Sequence, residues 1–368
     1  MDKLKGFLAR KDIVFTLQRY GIDALAAMAQ GLFCTLLVGT ILNTIGQQFH
    51  IGFLNQIIVS IGTGEGAVHY TIGGLASAMV GPGIAVAIGL ALHCPTLVLF
   101  SLIPVGFAAN AMGGAGGPLS VYFVAIVAAE FGKLVSKETK IDILVTPIVT
   151  ILMGIGFANL VAAPIGAAAS AVGDFVKWAT LQQPFLMGIL VSVVVGMALT
   201  LPISSAAICA ALTLTGLAGG AAVAGCCAQM VGFGVMSFRE NRWGGLVAQG
   251  LGTSMLQMPN IVKNWKIWIP PTLASAITGP LATCLFRLEM NGAAVSSGMG
   301  TCGLVGQIGV YTGWVNDVAA GTKAAITPLD WAGLLLICFI LPALLSSLFC
   351  RIIRKVGWIK ENDLKLEL

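Results

Sequence analysis

The sequence predicts an all-α polytopic membrane protein of about ten transmembrane helices with re-entrant, Gly-rich hairpins and both termini cytoplasmic. Three observations predict it. The 368 residues are 57% hydrophobic and only 10% charged, where a soluble domain carries about 25% charged residues. Mean hydropathy is +0.93. The charges are also bunched, so that residues 24–64, 66–129, 143–173 and 178–238 contain no Asp, Glu, Lys or Arg. A helix rising about 1.5 Å per residue needs about 20 apolar residues to cross the hydrocarbon layer. These tracts therefore hold several crossings. Soluble enzymes, nucleic-acid binders and disulfide-stapled secreted domains are excluded.

The elements follow in order. In residues 1–20, Leu4, Phe7, Leu8, Val14 and Phe15 recur at helical spacing among Lys3, Lys5, Arg10, Lys11 and Arg19. That pattern predicts an amphipathic cytoplasmic helix lying on the anionic membrane face. Residues 21–355 form the membrane-embedded domain, with spanning candidates at 24–46, 71–92, 94–110, 117–136, 143–162, 184–202, 218–237, 243–258, 271–287 and 331–350. Residues 356–368 form a cytoplasmic tail. Arg351, Arg354, Lys355, Lys360 and Lys365 follow the last apolar run. Positive residues mark the cytoplasmic side of short loops, which puts both ends inside and reads the +5 net charge as a topology signal. The apolar pieces 51–62, 203–217 and 293–313 are too short or too broken to span. Interrupted segments of this kind point to a transporter's substrate site.

A carboxylate retained at membrane depth is a functional candidate, because burying it costs about 2.5–3.5 kcal/mol. Glu130 beside Lys133 and Asp174 beside Lys177 read as interfacial pairs, and Asp330 after Pro328 reads as a helix cap. That leaves Glu65 and Glu289. Glu289 sits between an apolar helix and a Gly-rich piece, with Asn291 two residues on. It can accept charge-assisted hydrogen bonds from vicinal hydroxyls, or pair internally with Arg287. Glu65 and His69 are one helical turn apart and could bind a polar solute, shuttle a proton or form a plain loop pair. Gln249, Thr253, Gln257, Asn260 and Asn264 recur at steps of three and four, sharing one face of a helix bent near Pro259. Such a stripe suits a polyhydroxylated ligand or interhelical bonding. Gln229 and Gln307 are weaker additions. Nine cysteines form no C-x-x-C pair and read as small apolar packing groups, so neither metal nor cofactor is expected. Gly298-Met299-Gly300-Thr301-Cys302-Gly303 matches G-x-G-x-x-G but lacks the strand and ribose-binding acid of a dinucleotide fold.

The runs Gly252-Thr253-Ser254-Met255-Leu256-Gln257-Met258-Pro259-Asn260, Lys266 to Thr283 (KIWIPPTLASAITGPLAT) and Gly298 to Gln307 (GMGTCGLVGQ) carry a resemblance. The chain resembles the enzyme IIC membrane subunits of the bacterial phosphotransferase system (PTS), closest to a stand-alone branch that includes perfringolysin-regulator-like proteins. The resemblance covers residues 20–355. It implies a plasma-membrane homodimer that binds a sugar, translocates it and presents it to a separate IIB protein, itself charged by IIA from phosphoenolpyruvate. In sugar IIC proteins a hairpin glutamate and a histidine hold the sugar. The matching glutamate is Glu289, although the family's Gly-Ile-Thr-Glu run reads Arg287-Leu288-Glu289 here. The expected substrate-binding residues are thus Glu289, Asn291, Gln257, Asn260, Gln307, Glu65 and His69. Alternatives are a membrane sensor that reports a solute to gene expression, and an ion-coupled secondary transporter using Glu65 and His69.

Overall fold

In hydrocarbon every backbone N–H and C=O must be bonded within its own segment, and most of the charge-free length is accordingly helical. A computed structural model describes residues 2–62 and 67–366. Among these, Arg19–Gln48, Thr96–Val135, Asp142–Ala179, Gly216–Met236 and Pro328–Lys355 are long and apolar enough to cross a membrane. Ile72–Ala78 and Val80–Ala91, bent by 52°, make a sixth if taken as one span. The Thr96–Val135 run turns back at Gly114 (φ 52°, ψ −123°), and its arms Thr96–Gly113 and Gly117–Val135 pack on each other. Only glycine adopts that backbone without strain.

Local chemistry explains where the expected boundaries shift. The N-terminal helix covers only Asp2–Arg10, because Asp12 takes φ 54° and turns the chain. The run expected over 143–162 continues to Ala179. The helix expected over 243–258 breaks at Thr253, which is extended (φ −157°, ψ 140°) and caps the next turn by accepting from Met255 N at 3.2 Å. Asn264 does the same for Lys266. The polar stripe therefore lies on successive short helices, not on one bent helix. His69, expected on a helical turn, sits on a strand. Val59–Ile61 pairs antiparallel with Val68–Tyr70, placing Ser60 opposite His69. Glu65 lies outside the described residues. The Glu130–Lys133 pair forms at 2.9 Å, and Asp330 completes a capping box with Thr327. Among the described residues no ion pair joins Asp174 to Lys177.

The chain divides into two compact units. The first comprises Met1–Gly39 and Leu75–Ala168. Its helices meet at glycines, with Gly81 and Gly106 each backed by the other's carbonyl. Small residues let membrane helices approach to van der Waals contact of their backbones. A charged cluster ties its N-terminal loop down. Arg19 donates to both oxygens of Asp12, at 2.9 and 2.6 Å, and to Leu92 O at 2.7 Å. Buried Lys133 donates to the Asp12 carbonyl at 3.0 Å and to Leu92 O at 3.2 Å. The Arg19 guanidinium holds the Asp12 carboxyl well below the usual carboxylate range, against the opposing effect of burial.

The second unit comprises Thr40–Gly74 and Ala169–Leu368. Its centre is Gly216–Met236, whose apolar window is 94% buried. Pro184–Thr200, Ile269–Pro280 and Leu341–Lys355 pack around it. A Cβ at Gly225 would stand 1.8 Å from Ser192 O, and one at Gly220 only 1.6 Å from Leu288 O. Two broken segments meet beside this helix. One is 201–215, which holds the short helix Ser205–Ala211; the other is 288–304, built of single turns. Ser205 Oγ donates to Gly298 O at 2.7 Å, and Ser297 Oγ to Leu214 O at 2.6 Å.

Two outcomes test this packing. Gly225→Val forces the Pro184–Thr200 and Gly216–Met236 helices apart, and overpacking of this kind costs about 1–3 kcal/mol or more, read as a lower melting temperature in detergent. For Asp12, the folded carboxyl titrates below the unfolded value of about 3.9. Its contribution is therefore present above that pH and disappears as pH falls through the lower folded value. Asp12→Asn should melt earlier than the wild type at pH 7, and the gap should close as the pH is lowered below 4. A pH-independent gap contradicts the ion pair.

Candidate functional site

After Ile269–Pro280 and a wider turn through Leu285, the backbone reverses. Phe286 N bonds Leu281 O at 3.0 Å, Leu288 N bonds Ala282 O at 2.8 Å, and Arg287 between them has φ 44°. From there the chain is extended, so alternate side chains face opposite ways. Leu288 and Met290 enter a core with Val223, Cys227, Val310 and Ile337. Arg287 and Glu289 consequently point outward and are exposed. Met290 and Gly216 exchange both backbone hydrogen bonds at 3.0 Å. Asn291 Oδ1 accepts a further bond from Gly216 N at 3.1 Å. The segment carrying Glu289 is thus fixed to the start of the central helix.

Asn291 organises what lies around it. Its amide nitrogen donates to Glu289 Oε2 at 3.2 Å and to Asp317 Oδ2 at 2.8 Å. The three residues line a cavity of about 440 Å³ together with Trp314, Lys323 and Asp330. Lys323 is held by Asp330 at 2.8 Å, and Trp314 stacks edge-on against Trp331 at 5.6 Å. Arg287 lines the cavity without pairing to Glu289. Three carboxylates (Glu289, Asp317, Asp330) against two cations (Arg287, Lys323) leave one net negative charge. With Lys323 already neutralised, the carboxylate oxygens of Glu289 and Asp317 remain acceptors for hydroxyl donors. Hydrogen bonds to charged acceptors contribute about 1.5–3 kcal/mol each.

The other expected residues lie elsewhere. Gln257 and Asn260 are buried in an amide ladder: Gln257 Nε2 donates to Gln249 Oε1 and Asn260 Nδ2 to Gln257 Oε1, both at 2.8 Å. The ladder reads the chain's own tail. Gln257 donates to Leu364 O at 3.0 Å, Asn260 to Lys365 O at 2.9 Å and Asn264 to Trp358 O at 2.9 Å. Asn241 grips the same stretch from both sides, donating to Leu364 O at 2.7 Å and accepting from Leu366 N at 2.8 Å. Gln307 is buried against Cys227 Sγ at 3.1 Å. Gln229 joins Thr272 and Trp268 across helices. His69 Nδ1 bonds Ser60 Oγ at 2.7 Å. Sequence reasoning missed Asp317, Lys323 and Trp314 around Glu289. Asp317 lies 26 positions beyond Asn291, and the readable signal was its place one turn after Trp314 on a helix.

Apolar helices packed around a buried glycine-rich helix, with broken segments and a solute-sized polar cavity, define a multi-pass membrane component of a transport system. The chain belongs to the family described as "Phosphotransferase system, EIIC", which matches residues 22–366. That family implies a sugar substrate and phosphotransferase partners in general. No curated protein and no solved structure matches the chain.

The docked tail makes its own prediction. Leu364 is fully buried, and truncating a buried leucine costs about 2–5 kcal/mol. Leu364→Ala should lower the melting temperature accordingly and increase amide hydrogen exchange over 358–366. Unchanged exchange there would mean that the ladder does not hold the tail.

Proposed function

We propose that the protein is the sugar-translocating IIC permease of a phosphoenolpyruvate-dependent phosphotransferase system. Ten crossings with cytoplasmic termini, and 201–215 and 288–304 as re-entrant hairpins, make up the proposed architecture. It works in the bacterial plasma membrane as a homodimer. The substrate binds at Glu289 and Asn291, with Asp317 as a third contact, and a separate IIB protein phosphorylates it from the cytoplasmic side. The observation that carries this reading is the Glu289–Asn291–Asp317 triplet at a cavity, two of its members on a broken segment and the third on the helix Val305–Ala319 that follows it. Two carboxylates bridged by an amide are matched to vicinal hydroxyls: the carboxylates accept, the Asn291 amide holds the pair in place with its two N–H groups, and the sugar needs no charge.

The mechanism follows from how the segment is anchored. Met290 is bonded to Gly216, while Glu289 faces the cavity, so a movement of 201–215 together with 288–304 carries the carboxylate with it. Substrate hydroxyls and bulk water compete for the same oxygens, and closure of the cavity favours the substrate by excluding water. Gln257 and Asn260 act in this reading through the fold, since their amides are engaged with each other and with the tail, while Gln307 donates to Cys227 Sγ and keeps a buried Oε1 without a partner among the described residues.

The test is ligand-dependent thermal stabilisation of the detergent-purified protein across sugars and sugar alcohols. A ligand at 100 times its Kd adds about 2.7 kcal/mol. Glu289→Gln removes a charge-assisted bond of about 1.5–3 kcal/mol and should weaken binding by roughly ten- to a hundredfold. A protein stabilised by no sugar, or only by organic acids, contradicts the proposal.

A further inference from the structure

A second cavity, of about 330 Å³, lies on the far side of the same segment. That volume is at the lower end of the range, about 300–1,000 Å³, that holds small ligands. One wall is the end of Arg19–Gln48, with Thr44, Gln47 and Gln48, followed by His50. Another is one face of Val305–Ala319: Ile308, Gly309, Thr312, Val315 and Asn316 recur at the spacing of a single helical stripe. Ala293, Val295 and Ser296 of the broken segment close it. Residues 289–296 thus face the charged cavity through Glu289 and Asn291 and this one through Ala293, Val295 and Ser296. Between them the backbone is packed tight: a Cβ at Gly292 would meet Gly309 O at 2.3 Å, and one at Gly313 would meet Asn291 N at 2.7 Å.

The chemistry of the two cavities differs. No Asp, Glu, Lys or Arg lines the second one. Amides, hydroxyls and an imidazole alternate with aliphatic surface from Val295, Ile308 and Val315. Part of this polar set is engaged internally, since Thr312 Oγ1 donates to Gln48 Oε1 at 2.5 Å and Thr44 Oγ1 to Thr40 O at 2.8 Å. The remainder is unspent. The side-chain amides of Gln47 and Asn316 and the hydroxyl of Ser296 have no hydrogen-bond partner among the described residues. Ser296 is the informative one. The residue is only 5% exposed, and the little surface it keeps lines the cavity, so its hydroxyl is available to an occupant there. Gly309 opposite leaves room for it, because a Cβ there would stand 2.6 Å from Ser296 Cβ.

We infer that this cavity is a second binding site for an uncharged polyhydroxylated ring, with Ser296, Asn316 and Gln47 supplying its hydrogen bonds. It deepens the sugar-permease reading and rests on it. A sugar's C–H faces meet the aliphatic side chains, and its hydroxyls meet amides that both donate and accept. An anion or a cation would leave its water for a lining that carries no counter-charge. Since one segment walls both cavities, occupancy here acts on the backbone that carries Glu289.

The experiment titrates the full-length protein in detergent with D-glucose, D-mannitol and lactose, reading Kd from ligand-dependent melting and from equilibrium dialysis. Ser296→Ala and Asn316→Leu are compared with Glu289→Gln. Gln47→Leu, at an exposed helix end, repeats the test if Asn316→Leu does not fold. Loss of one or two neutral hydrogen bonds predicts a Kd raised by about tenfold in each cavity variant, with unliganded melting unchanged for Ser296→Ala. If the cavity variants bind as the wild type does while Glu289→Gln loses binding, the second site is overturned and the permease reading stands. If the cavity variants lose binding and Glu289→Gln does not, the second site stands and Glu289 is overturned as the sugar ligand. If no sugar binds the wild type, both fall.

Discussion

The second unit depends on a contact between backbones: the chain from Leu288 to Met290 lies directly on the first turns of Gly216–Met236. The Leu288 carbonyl fills the space that a side chain at Gly220 would take, and Met290 and Gly216 are joined by two hydrogen bonds. Helices in hydrocarbon gain little from hiding apolar surface, because lipid is as apolar as leucine; they associate by close packing and hydrogen bonding. Glycine makes both available at once. From this contact the rest of the site follows. It fixes the extended alternation that buries Leu288 and Met290, turns Glu289 outward and sets Asn291 against Asp317. The same glycines explain a sequence with 47 of them.

The polar groups are distributed by the same economy of satisfied bonds. Gln249, Gln257 and Asn260 are buried, and each amide would be costly without a partner. They are joined to one another and to the carbonyls of 364 and 365, so the tail is part of the folded unit. Around Glu289 the arrangement is the reverse, with exposed carboxylate oxygens left to face a cavity. Polar groups that the fold consumes and polar groups that it leaves open are separated along the chain, and the open ones cluster on both sides of 289–296.

Much of the fold was legible because charge-free length is a direct reading of the hydrocarbon layer. The helices over 24–46, 117–136 and 218–237 needed nothing more. Boundaries failed where one side chain outweighed the apolar pattern, as at Thr253, whose hydroxyl offers Met255 N a partner outside the helix, and at Asp12, where the chain turns. Glu289 and Asn291 were legible as polar residues retained inside an apolar run. Asp317 and Lys323 were not, since their relation to Asn291 exists only once two helices are packed. Gln249, Gln257 and Asn260 were legible as a group, but the single helix expected to carry them breaks at Thr253, and periodicity carries no information on what faces them. The tail carbonyls that do so belong to residues about a hundred positions away.

In the proposed permease the polar cavity at Glu289 serves transport coupled to phosphorylation. The most direct test follows a labelled sugar into sealed vesicles that hold the protein and soluble phosphotransferase components, with and without phosphoenolpyruvate. The account predicts accumulation of sugar phosphate that requires phosphoenolpyruvate, persists when an uncoupler collapses the ion gradients and is lost in Glu289→Gln. Uptake of unmodified sugar that the uncoupler abolishes would contradict it and make the protein a gradient-driven transporter.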